Sequence, residues 1–455
     1  MLVQLSQSIS EAVSVLQKCC TDEGLSHPNP DQNFSEESDS FRSNIEASKA
    51  ADKIVAASSQ LIALLQAPSL SLLRAACGHI TSAALRVCLE LSVVEILGDA
   101  GSDGLHVTKI AQRSGIVPDK LGRLLRYLSN QHIFSQVAPD TYANNRISTI
   151  LHSKKSVKQL LESSDQKHDG SMEQSFPSLI ELFASDLHLS SGYLTEYLKD
   201  PVMGNSEEPN HAPFNKAFQV DVSLFDWYNQ PEQAARLRRF LTAMQGTDRL
   251  QADDGLLKAI EWAELPSGSI IVDVGGGWGN ASLPVAVQNP HLRFVIQDKV
   301  DLVAAGQAAW ETQLGQPVSS DRVSFQVHNF FASQPITGAS IFILKHVLHA
   351  FSNSYAVKIL KNLRAAAAPS SQLLIIDSII PPFCSVQDNE SPFLEYDPVA
   401  EMVYISDLTM MLQLNAKERT LSELEYILEI SGWKVANIPP RHYNNLLTPV
   451  VAIPV

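Results

Sequence analysis

The chain has 455 residues, of which 45% are hydrophobic and 18% charged, and its formal net charge is −15 at pH 7. This length exceeds that of an ordinary single domain, and the composition is that of a protein with a well-buried core. The negative charge argues against nucleic acid as the main partner, because a phosphate backbone would be repelled.

The sequence shows no pattern typical of a membrane span, a secretory signal, a disulfide framework or a zinc site. No apolar run reaches the roughly 20 residues of a membrane-spanning helix, so we expect no membrane partner. The opening segment MLVQLSQSISEAVSVLQKCC lacks a basic leader and a small-residue cleavage site, and it predicts an amphipathic helix rather than a secretory signal. The five cysteines include no CxxC pair, which argues against a disulfide framework and a zinc site. We therefore predict a cytoplasmic protein without a bound metal.

Helical patterns dominate the first hundred residues, with an acidic polar linker at residues 22–45. Residues 105–148 then predict a short helix capped by Thr108, a turn at Gly115 and Pro118, a second helix, and a hairpin in IFSQVAPDTYANN. This order is typical of a winged helix, which serves either DNA recognition or dimerisation. The acidic charge of the chain favours dimerisation.

The stretch from residue 155 to residue 265 is predicted to be mostly helical. Six aromatic side chains gather in its second half: Phe214, Phe218, Phe225, Trp227, Tyr228 and Phe240. They either form ordinary core or line an apolar pocket for a planar substrate, and the sequence leaves both possibilities open.

Beyond residue 265, short apolar runs alternate with helical segments. The runs are SIIVDVGG, RFVIQD, VSFQVHNF, SIFILKHVL, QLLIIDSII and PVVAIPV. This alternation predicts an α/β fold with a Rossmann-like, doubly wound parallel sheet. We expect two domains: residues 1–155 form a helical, winged-helix dimerisation domain, and residues 156–455 hold a helical substrate-pocket region and the sheet.

The segment VDVGGGWG follows the first predicted strand of this sheet. Its glycines permit a sharp turn at the carboxyl end of a strand, where open α/β sheets bind ligands. The dinucleotide pattern GxGxxG does not fit, since it would require glycine at Asn280 or at Ser282. We expect Asp273 to organise the glycine turn. The next strand ends at Asp298, whose carboxylate either accepts hydrogen bonds from both hydroxyls of a ribose or is a solvated charge at the end of the strand.

The glycine segment resembles the first motif of class I S-adenosylmethionine-dependent methyltransferases. The winged-helix region, LKHVLHAF and AKERT extend the resemblance over nearly the whole chain. The chain is similar to the plant and fungal natural-product O-methyltransferases, the family of the caffeic acid O-methyltransferases, and most of all to fungal members with long N-terminal regions. The resemblance implies S-adenosyl-L-methionine as cofactor, a small-molecule substrate, and a homodimer whose N-terminal domains lend residues to the partner's active site.

The resemblance also implies roles for individual residues. His349 matches the family's general base, Asp377 and Glu418 match the acids that orient it, and His346 falls at a variable position where we expect packing. Glu418 is alternatively a solvated acid near the start of a helix. The residues matched to the cofactor site are Gly275, Gly277, Asp298, Asn329, Phe330 and Lys345.

Three positions depart from the family pattern. Ala350 and Phe351 replace an Asp-Trp pair after the histidine, and Asn329 replaces an acid that contacts adenine. The favoured hypothesis remains O-methylation of a small aromatic or polyketide-type secondary metabolite. The departures motivate an alternative, a methyltransferase-fold pericyclase or dehydratase in which Lys345 or His349 donates a hydrogen bond to a substrate carbonyl without methyl transfer. A non-catalytic winged-helix regulator is a third hypothesis, against which the intact glycine segment and the AKERT segment argue.

Overall fold

The structure is a computed structural model that describes residues 1–30, 32–162, 167–168, 170–247, 256–314, 322–381, 398–439 and 445–455. These residues form two compact units. One comprises Met1–Gly192 and a segment beginning at Phe225, and the other comprises Tyr193–Leu224 and most of the chain after residue 255. The domain boundary expected between residues 155 and 156 stays a prediction.

Helices make up most of the chain before the large sheet. In chain order they are α1 (Leu2–Glu23), α2 (Ile45–Leu65), α3 (Pro68–Ala76), α4 (Gly78–Glu90), α5 (Val93–Ala100), α6 (Val107–Ser114), α7 (Pro118–Asn130), α8 (Val157–Glu162), α9 (Met172–Leu182), α10 (His188–Ser191), α11 (Leu194–Leu198), α12 (Pro213–Phe218), α13 (Leu224–Tyr228) and α14 (Ala234–Thr247). Local sequence explains several ends. Asn44 caps α2 by accepting the Ala47 amide at 2.9 Å, and Pro118 opens α7, where its missing amide hydrogen costs nothing.

The predicted winged helix is present in the first unit. Strands β1 (Leu105–His106), β2 (Ser135–Ala138) and β3 (Thr141–Ala143) form an antiparallel sheet in the order β1-β3-β2 beside α6 and α7. Helix α6 ends at Gly115 in the left-handed conformation, as the predicted turn requires. The predicted cap at Thr108 is wrong, because the helix begins at Val107 and the ring of His106 caps it by accepting the Thr108 amide.

The α/β part lies in the second unit, and all six predicted strands are present. Its elements are β4 (Ile270–Val274), α15 (Ser282–Gln288), β5 (Arg293–Asp298), α16 (Val300–Leu314), β6 (Val323–Val327), β7 (Ile341–Lys345), α17 (Asn353–Ala366), β8 (Gln372–Ile380), α18 (Pro398–Leu414), β9 (Arg419–Thr420), α19 (Leu421–Glu429), β10 (Trp433–Asn437) and β11 (Leu447–Pro454). Strands β9 and β10 were not predicted.

The strand order β10-β11-β8-β7-β4-β5-β6 places a topological switch at β4. Strand β4 pairs in parallel with β5 on one side and with β7 on the other, so ligand-binding loops diverge at its carboxyl end. The sheet is parallel from β6 to β8, as predicted, and β11 runs antiparallel to β8. In β7, Phe342 and Leu344 join one buried cluster and Ile341 and Ile343 another, so both faces of the sheet are covered.

Two further findings concern membranes and thiols. Within the described ranges no single helix is long and apolar enough to cross a membrane. Helices α2 and α3 reach the length and hydrophobicity of a membrane span only when they are counted together, and they are bent by 115° relative to each other. The described cysteines are free thiols: Cys19, Cys20, Cys77 and Cys88. Cys384 lies outside the described residues.

Candidate active site

The pairing of β7 with β8 brings the predicted base and one predicted acid to the same edge of the sheet. Lys345, the last residue of β7, pairs with Ile376 of β8, so Asp377 lies one residue beyond this pair. A 3₁₀ turn, Leu348–Ala350, follows β7 and carries His349. Residues that are distant in sequence thus meet because parallel strands end at the same edge.

Glu418 reaches this edge through the two-residue strand β9. Arg419 of β9 pairs with Ile379 near the end of β8, and Glu418 directly precedes it. Oε1 of Glu418 lies 2.8 Å from Nδ1 of His349 and also accepts a hydrogen bond of 2.7 Å from Ser406. The Glu418 side chain is 1% exposed, so it is a buried partner of the imidazole and not a solvated acid.

Burial and charge act in opposite directions on the imidazole of His349. Burial lowers its pKa, but the carboxylates of Glu418 and Asp377 outweigh burial and raise the pKa above its ordinary value. When Nδ1 carries the proton and donates a hydrogen bond to Glu418, Nε2 carries the lone pair and can accept a proton. Burial also raises the pKa of Asp377 to about 6.

Arg419 holds the turn that carries His349. Its guanidinium donates hydrogen bonds to the carbonyl oxygens of Leu348 at 2.7 Å and Phe351 at 2.8 Å, and to Oδ1 of Asn353 at 3.0 Å. The residue is 3% exposed, and these acceptors offset the cost of burying its charge. Arg419 was not predicted as a site residue, and its place in the AKERT segment is the one signal in the sequence that points to it.

His346, which was expected only to pack, lies beside the predicted base His349. Its backbone φ is +55°, an uncommon value for a residue with a side chain, and its amide donates to the carbonyl of Ile376. The ring centroids of His346 and His349 are 5.1 Å apart. Burial, with the nearby positive groups, holds the pKa of His346 well below its ordinary value, so its ring is neutral near pH 7.

The glycine segment turns sharply at the carboxyl end of β4. Gly275 has a φ of +71°, and a Cβ atom there would approach Val347 to 2.9 Å. Gly277 has a φ of +57°, and a Cβ atom there would meet no atom within 4 Å. The backbone is therefore open on the Gly277 side, as close approach of a ligand requires. Asp273 accepts the Ser282 hydroxyl at 2.6 Å beneath this turn.

Asp298 lies beside the glycine turn at the end of β5. Its Oδ2 accepts the Gly277 amide at 2.8 Å, and its Oδ1 accepts the Lys299 amide at 2.7 Å. Each carboxylate oxygen can accept two hydrogen bonds, so both can also receive a hydroxyl group. Burial raises the pKa of Asp298.

Asn329 and Phe330 follow the carboxyl end of β6, at the same edge of the sheet as the glycine turn. The ring of Phe330 is half-buried and makes edge contacts with Phe331 at 4.9 Å and Phe351 at 5.6 Å between centroids. Asn329 is exposed, and its Oδ1 accepts the Phe331 amide at 3.0 Å. An open glycine turn, a carboxylate with spare acceptor capacity and an aromatic ring fit a nucleoside cofactor such as S-adenosylmethionine. Lys345 ends the neighbouring strand β7.

Comparisons with known proteins place the chain in a family. The family model of the O-methyltransferase domain matches residues 195–434, and that of the O-methyltransferase dimerisation domain matches residues 73–154. An O-methyltransferase of Armillaria gallica is 34% identical, with 99% of this chain and 98% of that protein covered. The 4-O-methyltransferase 1 of Phanerochaete chrysosporium is also 34% identical, with 100% and 99% covered.

The fold is shared more widely than the sequence. A solved structure described as a pericyclic reaction enzyme matches this chain with a TM-score of 0.67 and 19% sequence identity. The match covers 99% of this chain and 100% of the chain in that structure. This likeness shows the fold alone, whereas the family models and the full-length relatives identify the family. The predicted fold class, enzyme class and cofactor are confirmed, and the regulator hypothesis gains no support. The chain belongs to the S-adenosyl-L-methionine-dependent O-methyltransferases that carry an N-terminal dimerisation domain.

Proposed function

We propose that the protein methylates a hydroxyl group of a small aromatic or polyketide-type secondary metabolite, with His349 as general base. The observation that carries this proposal is the 2.8 Å hydrogen bond between Nδ1 of His349 and the buried Oε1 of Glu418. An imidazole held in this way keeps one tautomer and offers its second nitrogen as a proton acceptor.

Proton transfer is the step that these side chains perform. Nε2 of His349 accepts the proton of the substrate hydroxyl while the oxygen bonds to the incoming methyl carbon. Bound S-adenosylmethionine supplies that methyl group from its sulfonium. Glu418 and Asp377 stabilise the imidazolium that forms, and Arg419 keeps the turn oriented, which matters because misplacement of a reacting group by about 1 Å can cost about 10²-fold in rate.

A second group of residues is proposed to hold the cofactor. Gly277 exposes its backbone to the ligand, and Asp298 accepts the ribose hydroxyls. Phe330 packs against the adenine, and Asn329 receives or donates a hydrogen bond at its rim. The remaining members are Gly275, which permits the turn, and Lys345, which adds positive charge at the end of β7.

A second candidate function is a pericyclic or dehydration reaction on the same scaffold. It is supported by the apolar environment of Ala350, the position where the family pattern has aspartate. Ala350 is buried, and the ring centroid of the adjacent Phe351 lies 5.6 Å from that of Phe330 and 5.2 Å from that of Phe331. In this case protonated His349 or Lys345 donates a hydrogen bond to a substrate carbonyl and stabilises its developing negative charge.

The test measures both the transfer of labelled methyl groups to the product and the mass of the product. Full-length protein is incubated with methyl-labelled S-adenosylmethionine and a panel of phenols and enolic pyridones. Label in the product supports methyl transfer. A product of unchanged mass that forms only in the presence of the cofactor supports the second candidate and contradicts the first.

We also propose a homodimer, because a dimerisation domain matches residues 73–154. Light scattering on the purified protein should give twice the mass of one chain. A single-chain mass at micromolar concentration would contradict the dimer.

A further inference from the structure

Three side chains beside the base have the composition of a metal site. One ring nitrogen each of His346 and His349 and one carboxylate oxygen of Asp377 lie within 4.8 Å of one another. Among the described residues no other such group is found. Two imidazoles and one carboxylate are a common ligand set for zinc and for other divalent first-row metals, and they leave coordination positions open.

The backbone holds these side chains together. His346 and Asp377 each follow one member of the paired residues Lys345 and Ile376, so they are neighbours across β7 and β8. His346 takes a left-handed φ of +55° and is tied by its amide to the carbonyl of Ile376. Non-glycine residues in sparsely populated backbone conformations are enriched at active sites and ligand clamps.

The surroundings of the group also suit a metal. Nδ1 of His349 is bonded to Glu418, which is in turn bonded to Ser406. A carboxylate behind an imidazole is the usual outer support of a metal-binding histidine, since it fixes the tautomer and orients the ring. Asp377 is 5% exposed, and its Oδ1 has no hydrogen-bond partner in the described part of the chain. A buried acceptor without a partner is costly, and a cation would satisfy it.

We propose that His346, His349 and Asp377 bind a divalent transition-metal ion of the zinc class, and that the bound ion withdraws His349 from proton transfer. Zinc lies about 2.0–2.2 Å from such ligands, and ligand atoms within 4.8 Å of one another can reach a single ion with small side-chain rotations. A nitrogen lone pair that coordinates a metal accepts no proton, so metal binding and methyl transfer exclude each other. This inhibitory consequence rests on the proposed function, whereas the binding of the ion does not.

Cobalt provides a direct probe of the site, because Co²⁺ replaces zinc and gives a strong visible band when four or five ligands hold it, whereas the six-coordinate aqueous ion absorbs only weakly. Full-length protein freed of metal with EDTA is titrated with Co²⁺ alone. We expect one equivalent to produce a visible band, and His346→Gln to weaken Co²⁺ binding by at least about tenfold. The matched control is His291→Gln, because the Nε2 of His291 is also buried and lies outside the group. This variant should keep the band.

Two outcomes overturn the proposal: no visible band in the wild type, or equal Co²⁺ affinity in the wild type and His346→Gln. Asp377→Asn serves as a second ligand variant if His346→Gln does not fold by circular dichroism, and equal affinity there has the same meaning.

Methyl transfer tests the consequence separately. Zinc should inhibit the wild type, and EDTA should reverse the inhibition; each variant is compared with its own metal-free rate. If Co²⁺ binds but His349→Ala still transfers methyl groups, the proposed function fails and the metal site stands. If transfer needs His349 but no Co²⁺ binds, the metal site alone is refuted.

Discussion

The guanidinium of Arg419 donates a 2.7 Å hydrogen bond to the carbonyl of Leu348, the residue directly before His349. A second bond from the same group reaches the carbonyl of Phe351. The turn that carries the base is therefore fixed at both of its ends by one buried side chain. Arg419 touches neither substrate nor cofactor in this account, and we regard it as a positioning residue.

Replacing Arg419 with lysine should lower kcat and leave cofactor binding intact. Lysine keeps the charge but cannot reach both carbonyl groups with a planar fork, so His349 should move from its place. We expect kcat to fall by about 10²-fold, the effect of misplacing a reacting group by about 1 Å. Steady-state kinetics and calorimetric titration of S-adenosylmethionine measure the two quantities.

Arg364 offers a matched control for this variant. It also donates to two backbone carbonyls, those of Gly432 and Val455, at 2.9 and 3.0 Å. Arg364→Lys should reduce stability without a comparable loss of kcat. Equal losses in the two lysine variants would show that Arg419 serves the fold and not the base.

The charge of Glu418 should appear in the pH dependence of the reaction. His349 accepts a proton only when neutral, so kcat/KM of the metal-free enzyme should fall as the pH drops through its pKa, above the ordinary value of about 6.5. Glu418→Gln removes a negative charge that raises this pKa, so the acid limb should move to lower pH. The rate on the plateau should also fall, because the amide supports the imidazolium less well.

Glu423→Gln serves as the control for the pH profile, since Glu423 caps α19 with Thr420 and does not contact the imidazole. Its acid limb should match that of the wild type. An unmoved limb in Glu418→Gln would exclude His349 as the titrating group.

Gly277→Ala should weaken cofactor binding beyond its effect on stability. Alanine at a positive φ is strained by roughly 1–2 kcal/mol, and here its methyl group would enter the open side of the turn. Gly338 has a φ of +67° and equally open surroundings, so Gly338→Ala carries the same strain away from the turn. We expect both variants to lose similar unfolding free energy, and only Gly277→Ala to lose affinity for S-adenosylmethionine. Calorimetry with equal affinities for both would contradict this role of Gly277.

The sheet was predictable from sequence because its parallel strands are buried on both faces. Continuous apolar residues, IIV in β4 and IFIL in β7, mark these strands and can be recognised in the sequence without knowledge of the fold. Strand β9 has two residues, and β10 has the mixed sequence WKVAN, so neither carries such a run. Their existence depends on pairing with strands far away in the sequence.

The candidate site was predictable only where a motif marked it. His349, Asp377 and Glu418 meet through non-local pairing of β7, β8 and β9, which no local pattern reports. Arg419 was missed because two of its three acceptors are backbone carbonyls, which every residue possesses, and the third is Oδ1 of the distant Asn353. His346 was expected to pack, since its left-handed backbone is visible only in the structure.

In the proposed reaction His349 takes the proton from the substrate hydroxyl, and the turnover number of His349→Ala decides whether it does. Label transfer is measured in metal-free buffer with the wild type, this variant and His291→Ala, after calorimetry has verified that each binds S-adenosylmethionine. We expect only His349→Ala to lose about 10²–10⁴-fold in kcat. Methyl transfer by His349→Ala at a rate close to that of the wild type would contradict it.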